Sequence, residues 1–287
     1  MGYAREHVLQ ALRDAASSDA VELHFKVPNR PLVRVTGGAL VPTSGPPLTP
    51  SDTSEIAQTL MRLAGVEIPL AGAQDIDIGL GLSGIGRFRI AIYRQRGSVA
   101  VVVRSVATSI PTLASLGATA LDPLVGRPGL LLACGPMRTN FLAACASAYN
   151  ARERGHVSII EGQLGFLHRD GMAAIAQREV GVDVATHAAG IRGAMRVGSD
   201  LILIDEIPDA AAADALLEAA ERGFSTVAGV AAPTADEAAW WLLRTIPGES
   251  RPDAERRLTS VLTGVVAIGP DGSPHHVPGT GLLPATA

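Results

Sequence analysis

A single lysine, Lys26, stands among the 24 basic residues of this 287-residue chain; the other 23 are arginines. The C-terminal half therefore has no ammonium group to offer, and a planar guanidinium is not a like-for-like substitute for one. Aromatic residues make up 3% of the chain, so the core that 47% hydrophobic residues allow must be built from Ala, Val, Leu and Ile. The two cysteines, Cys134 and Cys145, are too few for a disulfide framework or a cysteine metal cluster. They read as buried hydrophobes, and no metal site is expected. No apolar run approaches the roughly 18–20 residues of a membrane span, and no basic flank leads into an apolar segment near the N-terminus. A cytoplasmic protein without direct membrane insertion is expected. A net charge of −4 with acids and bases mixed along the chain argues against nucleic acid as a partner.

What is present divides into two blocks. Residues 3–17 carry apolar positions at helical spacing. Alternating stretches follow at 21–25, 31–36, 75–78, 87–93 and 98–104, with a helix through 56–63 that Ser51-Asp52 is placed to cap. This is the pattern of a small antiparallel α+β domain. The second block changes character. Continuous apolar strands at 130–133, 157–160, 201–204 and 226–230 alternate with helices near 141–149, 187–197, 210–222 and 235–243. Such alternation implies a mostly parallel sheet covered on both faces, with ligands bound beyond the carboxyl ends of the strands. Gly135, Glu161 and Asp205-Glu206 fall at those ends. The resulting domain plan is 1–105, a linker at 106–117, a second domain at 118–268 and a flexible tail at 269–287 that contains His275-His276. The helix at 235–243 carries both tryptophans, Trp240 and Trp241, and burial of at least one ring is expected.

The stretch GLLLACGPMRTN at 129–140 reads as strand, sharp turn and helix, the arrangement that presents backbone N–H groups to a phosphate. The P-loop pattern G-x-x-x-x-G-K-[ST] is nevertheless missing. No second glycine and no lysine follow Gly135, and Arg138 is the one cation of the turn.

Taken in order, several segments resemble the type IV pilus retraction and type II/IV secretion ATPases, most closely the PilT branch. Ser18-Asp19 with Leu23-His24 is similar to its S-D-L-H start, and PLVRV at 31–35 to its P-x-I-R-V. GRFRI at 86–90, RQRG at 94–97, the linker IPTLASLG at 110–117 and GLLLACGP at 129–136 continue the match. QREV at 177–180 is literal, and DLILIDE at 200–206 sits where the Walker B motif belongs. The resemblance covers nearly the whole chain. It implies a small N-terminal α+β (PAS-like) domain followed by a RecA-like P-loop NTPase-type domain.

The same resemblance implies less for chemistry. MRTN at 137–140 replaces the family's loop and is about three residues short of the pattern. Gly135, Pro136, Arg138, Thr139, Asn140, Asp200 and Asp205 are what remains of a degenerate nucleotide site. The Asp box reads IEGQLG at 160–165, keeping Glu161 alone, and both His-box histidines are replaced, by Phe224 and Ala231. Glu161 and Glu206 are the catalytic acids if the chain is active; otherwise Glu161 caps a loop and the Asp205-Glu206 pair is inherited structure. Arg87, Arg89 and Arg104 are inter-domain or inter-subunit candidates, with a solvated strand face as the alternative. The resemblance thus implies a pseudo-ATPase that assembles as a homo-oligomer or with a paralogous pilus or secretion ATPase. It reaches the inner-membrane pilus platform only through partners, and ATP and Mg²⁺ are cofactors only if residual binding persists. The alternatives are an active ATPase with a rebuilt loop and a nucleotide-independent scaffold. Family members continue past the region matching 258–268 into a helical segment, where this chain is expected to turn into its flexible tail.

Overall fold

The computed structural model describes residues 5–16, 20–35, 38–70, 75–107 and 109–279. Ser18-Asp19 of the expected first-strand motif and the last eight residues of the expected tail lie outside them. The chain forms two compact units, Met1–Val106 and Ala107–Ala287.

The first unit contains α1 (Arg5–Ala16), β1 (Ala20–Phe25), β2 (Leu32–Val35), β3 (Leu40–Pro42), α2 (Pro50–Leu63), β4 (Ile76–Leu82), β5 (Gly86–Gln95) and β6 (Ser98–Ser105). Its sheet runs β3-β2-β1-β6-β5-β4 and every pairing is antiparallel. Period-two alternation sends Phe88, Ile90 and Ile92 of β5 into a core with Val8, Leu12, Ile56 and Leu60 of the two helices. Arg87 and Arg89 occupy the intervening positions. The β5–β6 hairpin turns on Arg96 and Gly97, both with positive φ, as a two-residue turn of the primed type requires. The cap of α2 is not at Ser51-Asp52. Thr49 is the N-cap, Pro50 opens the helix, and Asp52 completes a reciprocal capping box from the third helical position.

The second unit opens with a short 3-10 helix at Thr119–Leu124. It continues through β7 (Gly129–Cys134), α3 (Arg138–Arg152), β8 (His156–Glu161), β9 (Ala174–Glu179), α4 (His187–Arg196), β10 (Leu201–Ile204), α5 (Ala210–Glu221) and β11 (Ser225–Gly229). It closes with α6 (Ala235–Arg244), α7 (Arg251–Val261), β12 (Leu262–Ile268) and β13 (Pro274–Pro278). The sheet order is β13-β12-β7-β11-β10-β8-β9, parallel throughout except for β13. All residues of β7, β10 and β11 are buried, because helices cover both faces. One face packs under α4, α5, α6 and α7. The other packs under α3 and the segment that leads into β7.

Leu113 and Leu116, expected in a linker, are buried in that second core. The expected flexible tail supplies the edge strand β13 instead, where His275 and His276 pair with Ala267 and Val266 of β12. Trp240 and Trp241 are both exposed, against the expectation that one would be buried. The reason is their phase on α6, whose inward positions are already filled by Ala238, Ala239, Leu242 and Leu243.

Candidate functional site

Inserting β10 and β11 between β7 and β8 brings the carboxyl ends of β7, β8, β10 and β11 to one edge of the sheet, the place where such sheets hold ligands. Gly135, Glu161, Asp205 and Glu206 all fall there.

The β7–α3 turn consists of three residues, Gly135, Pro136 and Met137. Gly135 has φ +88, and a Cβ at this position would meet the Ile268 carbonyl at the end of β12, so only glycine fits. Its N–H donates to the Ala232 carbonyl at 3.1 Å, Pro136 has no N–H, and the Arg138 N–H donates back to the Gly135 carbonyl at 3.3 Å. Met137 occupies the N-cap of α3 without a side-chain cap. Thr139 and Asn140 lie half-buried in the first helical turn. Arg138 is also half-buried, and its Nε has no partner among the described residues. Burial pushes the neighbouring Cys134 thiol up to about 11, against the pull of Arg138 and with a smaller push from Glu237.

At the end of β10, Asp205 acts as a clamp. Its Oδ1 accepts from His187 Nε2 at 2.9 Å and from the Glu206 N–H at 2.9 Å, and its Oδ2 accepts from the Gly162 N–H at 2.8 Å. The Asp205 carbonyl presses on Gly229 of β11, where any Cβ would collide with it. One carboxylate thus ties β10 to the exit of β8 and to the first residue of α4. His187 is buried; burial opposes its protonation, but the Asp205 hydrogen bond and charge, followed by Glu206 and Asp209, outweigh it and raise its pKa. Glu206 itself is exposed.

Glu161 ends β8 as a buried acid whose Oε1 accepts from the Gly165 N–H at 3.2 Å. Gln177 of β9 straps the intervening loop: its Oε1 accepts from the His168 N–H at 2.8 Å and its Nε2 donates to the Phe166 carbonyl at 2.9 Å. Glu161, His168 and Asp205 line a void with Leu142, Ala143, Ile159, Leu203 and Ile204. Its volume is about 10 Å³, room for at most one water. Burial depresses the His168 pKa to about 4, so its imidazole is neutral near pH 7.

Asp200 does not join this group. It precedes β10, and its Oδ2 accepts from the His156 N–H at the start of β8, at 2.8 Å. It sits at the opposite edge of the sheet from Asp205, about 16 Å away along the strand. The first-unit arginines also have local roles. Arg104 Nε donates to Glu22 Oε1 at 2.9 Å, and Arg89 lies opposite Arg104 in the β5–β6 ladder. Arg87 lies beside Gly81 of β4. His187 and Gln177 were not singled out by sequence reasoning as part of the site. The available signal was a histidine opening a helix in a chain that also places an extra acid, Asp205, at a strand end.

Among the described residues no helix is long and apolar enough to cross a membrane, and no group of His, Cys, Asp and Glu is arranged to hold a metal. No protein-family model matches the chain. It is 27% identical over 244 residues to the type IV pilus ATPase PilU of Pseudomonas aeruginosa, covering 82% of this chain and 64% of that protein, so it spans less than two thirds of that relative. The crystal structure of the pilus retraction motor PilT with bound ADP superposes with a TM-score of 0.78 at 26% identity, covering 90% of this chain and 77% of that one. The Legionella pneumophila ATPase DotB shares the fold, with a TM-score of 0.72 at 17% identity over 94% of this chain and 78% of that one. The matches agree with one another: over most of its length the chain is similar to the PilT-like type IV pilus and secretion ATPases, in sequence and in fold.

Proposed function

We propose that this chain is a degenerate PilT-like pseudo-ATPase, which assembles with itself or with a paralogous motor and regulates a type IV pilus or secretion machine. The observation that carries the reading is the three-residue β7–α3 turn. Phosphate cradles are made of successive free N–H groups ahead of a helix. Here one N–H is absent, two are engaged within the protein, and the second unit contains no lysine. The clamp adds to this, because both Asp205 carboxylate oxygens already accept protein hydrogen bonds. The residues present do not fit a magnesium nucleotide. Phosphoryl transfer depends on positioning and charge neutralisation, and a single lost donor typically costs about 2.7–4 kcal/mol of transition-state stabilisation.

Calorimetric titration of the purified chain with Mg-ATP and Mg-ADP, carried to millimolar ligand, tests the reading. No heat is expected, while a pull-down with a PilT-type motor is expected to retain the chain. Micromolar nucleotide binding would sink it.

A second reading, an active ATPase with a rebuilt loop, draws on one feature: Arg138 Nε is buried without a described partner at the first turn of α3. In that case Arg138→Ala abolishes nucleotide binding, and Glu161 and Glu206 become the acids to test.

A further inference from the structure

The outward stripe of α6 has no counterpart in the site described above. Its exposed positions are Asp236, Glu237, Trp240, Trp241 and Arg244, recurring as neighbours on one helical face. Such a stripe is ordinarily polar. Here it holds both tryptophans of a chain with 3% aromatics, 41% and 37% exposed. Asp236, Glu237 and Arg244 have no ion-pair partner among the described residues. Tryptophan and arginine are the residue types that dominate binding energy at interfaces.

The charges also have a symmetry. The acidic pair opens the stripe, Arg244 closes it about 11 Å further along the helix, and the tryptophans lie at the midpoint. A two-fold axis through Trp240 and Trp241 would place a second α6 antiparallel to the first. Each Asp236-Glu237 pair would then face the other copy's Arg244, around a centre of four indole rings. Residue i meets j and j meets i, the condition for a self-complementary two-fold interface.

We infer that α6 is a homodimerisation surface whose partner is a second copy of this chain, joined antiparallel through Trp240 and Trp241 and set in register by Glu237 and Arg244. The inference is independent of whether nucleotide binds. Four partly packed indoles make a centre smaller than a standard interface of about 1,600 Å², so association in the micromolar range is expected.

Sedimentation velocity of the full chain, from about 1 to about 100 micromolar, brackets that affinity. The weight-average coefficient should rise toward a dimer, with the tryptophan emission maximum moving to the blue over the same range. Trp240→Ala with Trp241→Ala should leave a monomer with an unchanged far-UV spectrum. Arg244→Glu alone and Glu237→Arg alone should each weaken association by at least about tenfold, whereas an equimolar mixture of the two should restore it, as only a reciprocal contact allows. A monomer at every concentration overturns the inference. So does association indifferent to the tryptophan substitutions, a mixture that fails to recover, or a stripe that engages only a motor relative or lipid vesicles.

Discussion

His187 Nε2 lies 2.9 Å from Asp205 Oδ1, and this contact joins the first residue of a helix to the end of a strand 18 positions later in the chain. The same carboxylate holds the half-buried Gly162 N–H and the Glu206 N–H, so removing it strips three donors of their acceptor, one of them the buried His187. Asp205→Ala is expected to lower stability by about 1.5–3 kcal/mol, the usual range for hydrogen bonds to a charged group, as read from urea denaturation midpoints. The pH dependence has a definite sign. Because the folded-state pKa of His187 is raised, its contribution is complete below the unfolded value of about 6.5 and is lost as pH rises through the folded value. His187→Gln keeps a donor but removes the titration. The stability difference between the wild type and this variant should shrink as pH rises above the unfolded value of about 6.5; a difference that grows contradicts the assignment.

Gly229 and the Asp205 carbonyl are packed too closely for any side chain between β11 and the end of β10. Gly229→Ala forces those strand ends apart. The expected loss is at least the roughly 1–3 kcal/mol typical of overpacking, read from urea denaturation midpoints. Gly198→Ala is the control, at a loop glycine with φ +69 and open space around it, where only backbone strain applies. A milder effect at Gly229 than at Gly198 would contradict the close approach.

The parallel sheet was legible because fully buried strands leave uninterrupted apolar runs, as in LILI of β10 and GLLLAC of β7. Strands β9 and β13 were not, for the opposite reason. AIAQRE and PHHVP sit at the two edges of the sheet, carry polar residues, and become strands only by pairing with β8 and β12. At the site, Gly135, Glu161 and Asp205 could be placed by strand-end reasoning alone. The His187 contact could not, because it depends on the register between α4 and β10, and so Asp205 read as a remnant of a nucleotide site while its role as a clamp went unseen. The exposure of Trp240 and Trp241 was misjudged because the size of a ring suggests burial, whereas helical phase decides it.

Glu22 organises the outer face of the first unit. It accepts from His24 Nε2 at 2.8 Å, Arg34 Nε at 3.0 Å and Arg104 Nε at 2.9 Å. Burial alone would raise its pKa, but these three donors outweigh it and bring the value down to about 2. A depressed carboxylate contributes above its unfolded pKa and loses that contribution as pH falls from about 4.5 toward about 2. Glu22→Gln should cost about 1.5–3 kcal/mol near pH 7 and remove part of the acid sensitivity. Thermal melts of the two proteins that stay parallel from neutral pH into acid would argue against the network.

Gln177 carries the last expectation. Its side chain holds the backbone of Phe166 and His168 and keeps the loop folded over Glu161. That cover is also what hides the His168 ring, whose pKa is down at about 4 through burial. In Gln177→Ala the His168 N–H loses its acceptor and the loop its two tethers, so amide exchange at His168 should accelerate. The ring should gain water, and its pKa should climb toward the unperturbed value of about 6.5. Proton NMR titration of the histidine ring resonances follows both proteins directly. A His168 that titrates near 4 in the wild type and stays there in the variant would mean the loop is held by its packing on Leu142 and Ile159 rather than by Gln177. A rise of about two units would assign the cover to this one side chain and fix the order of dependence, with Gln177 holding the loop and the loop enclosing Glu161.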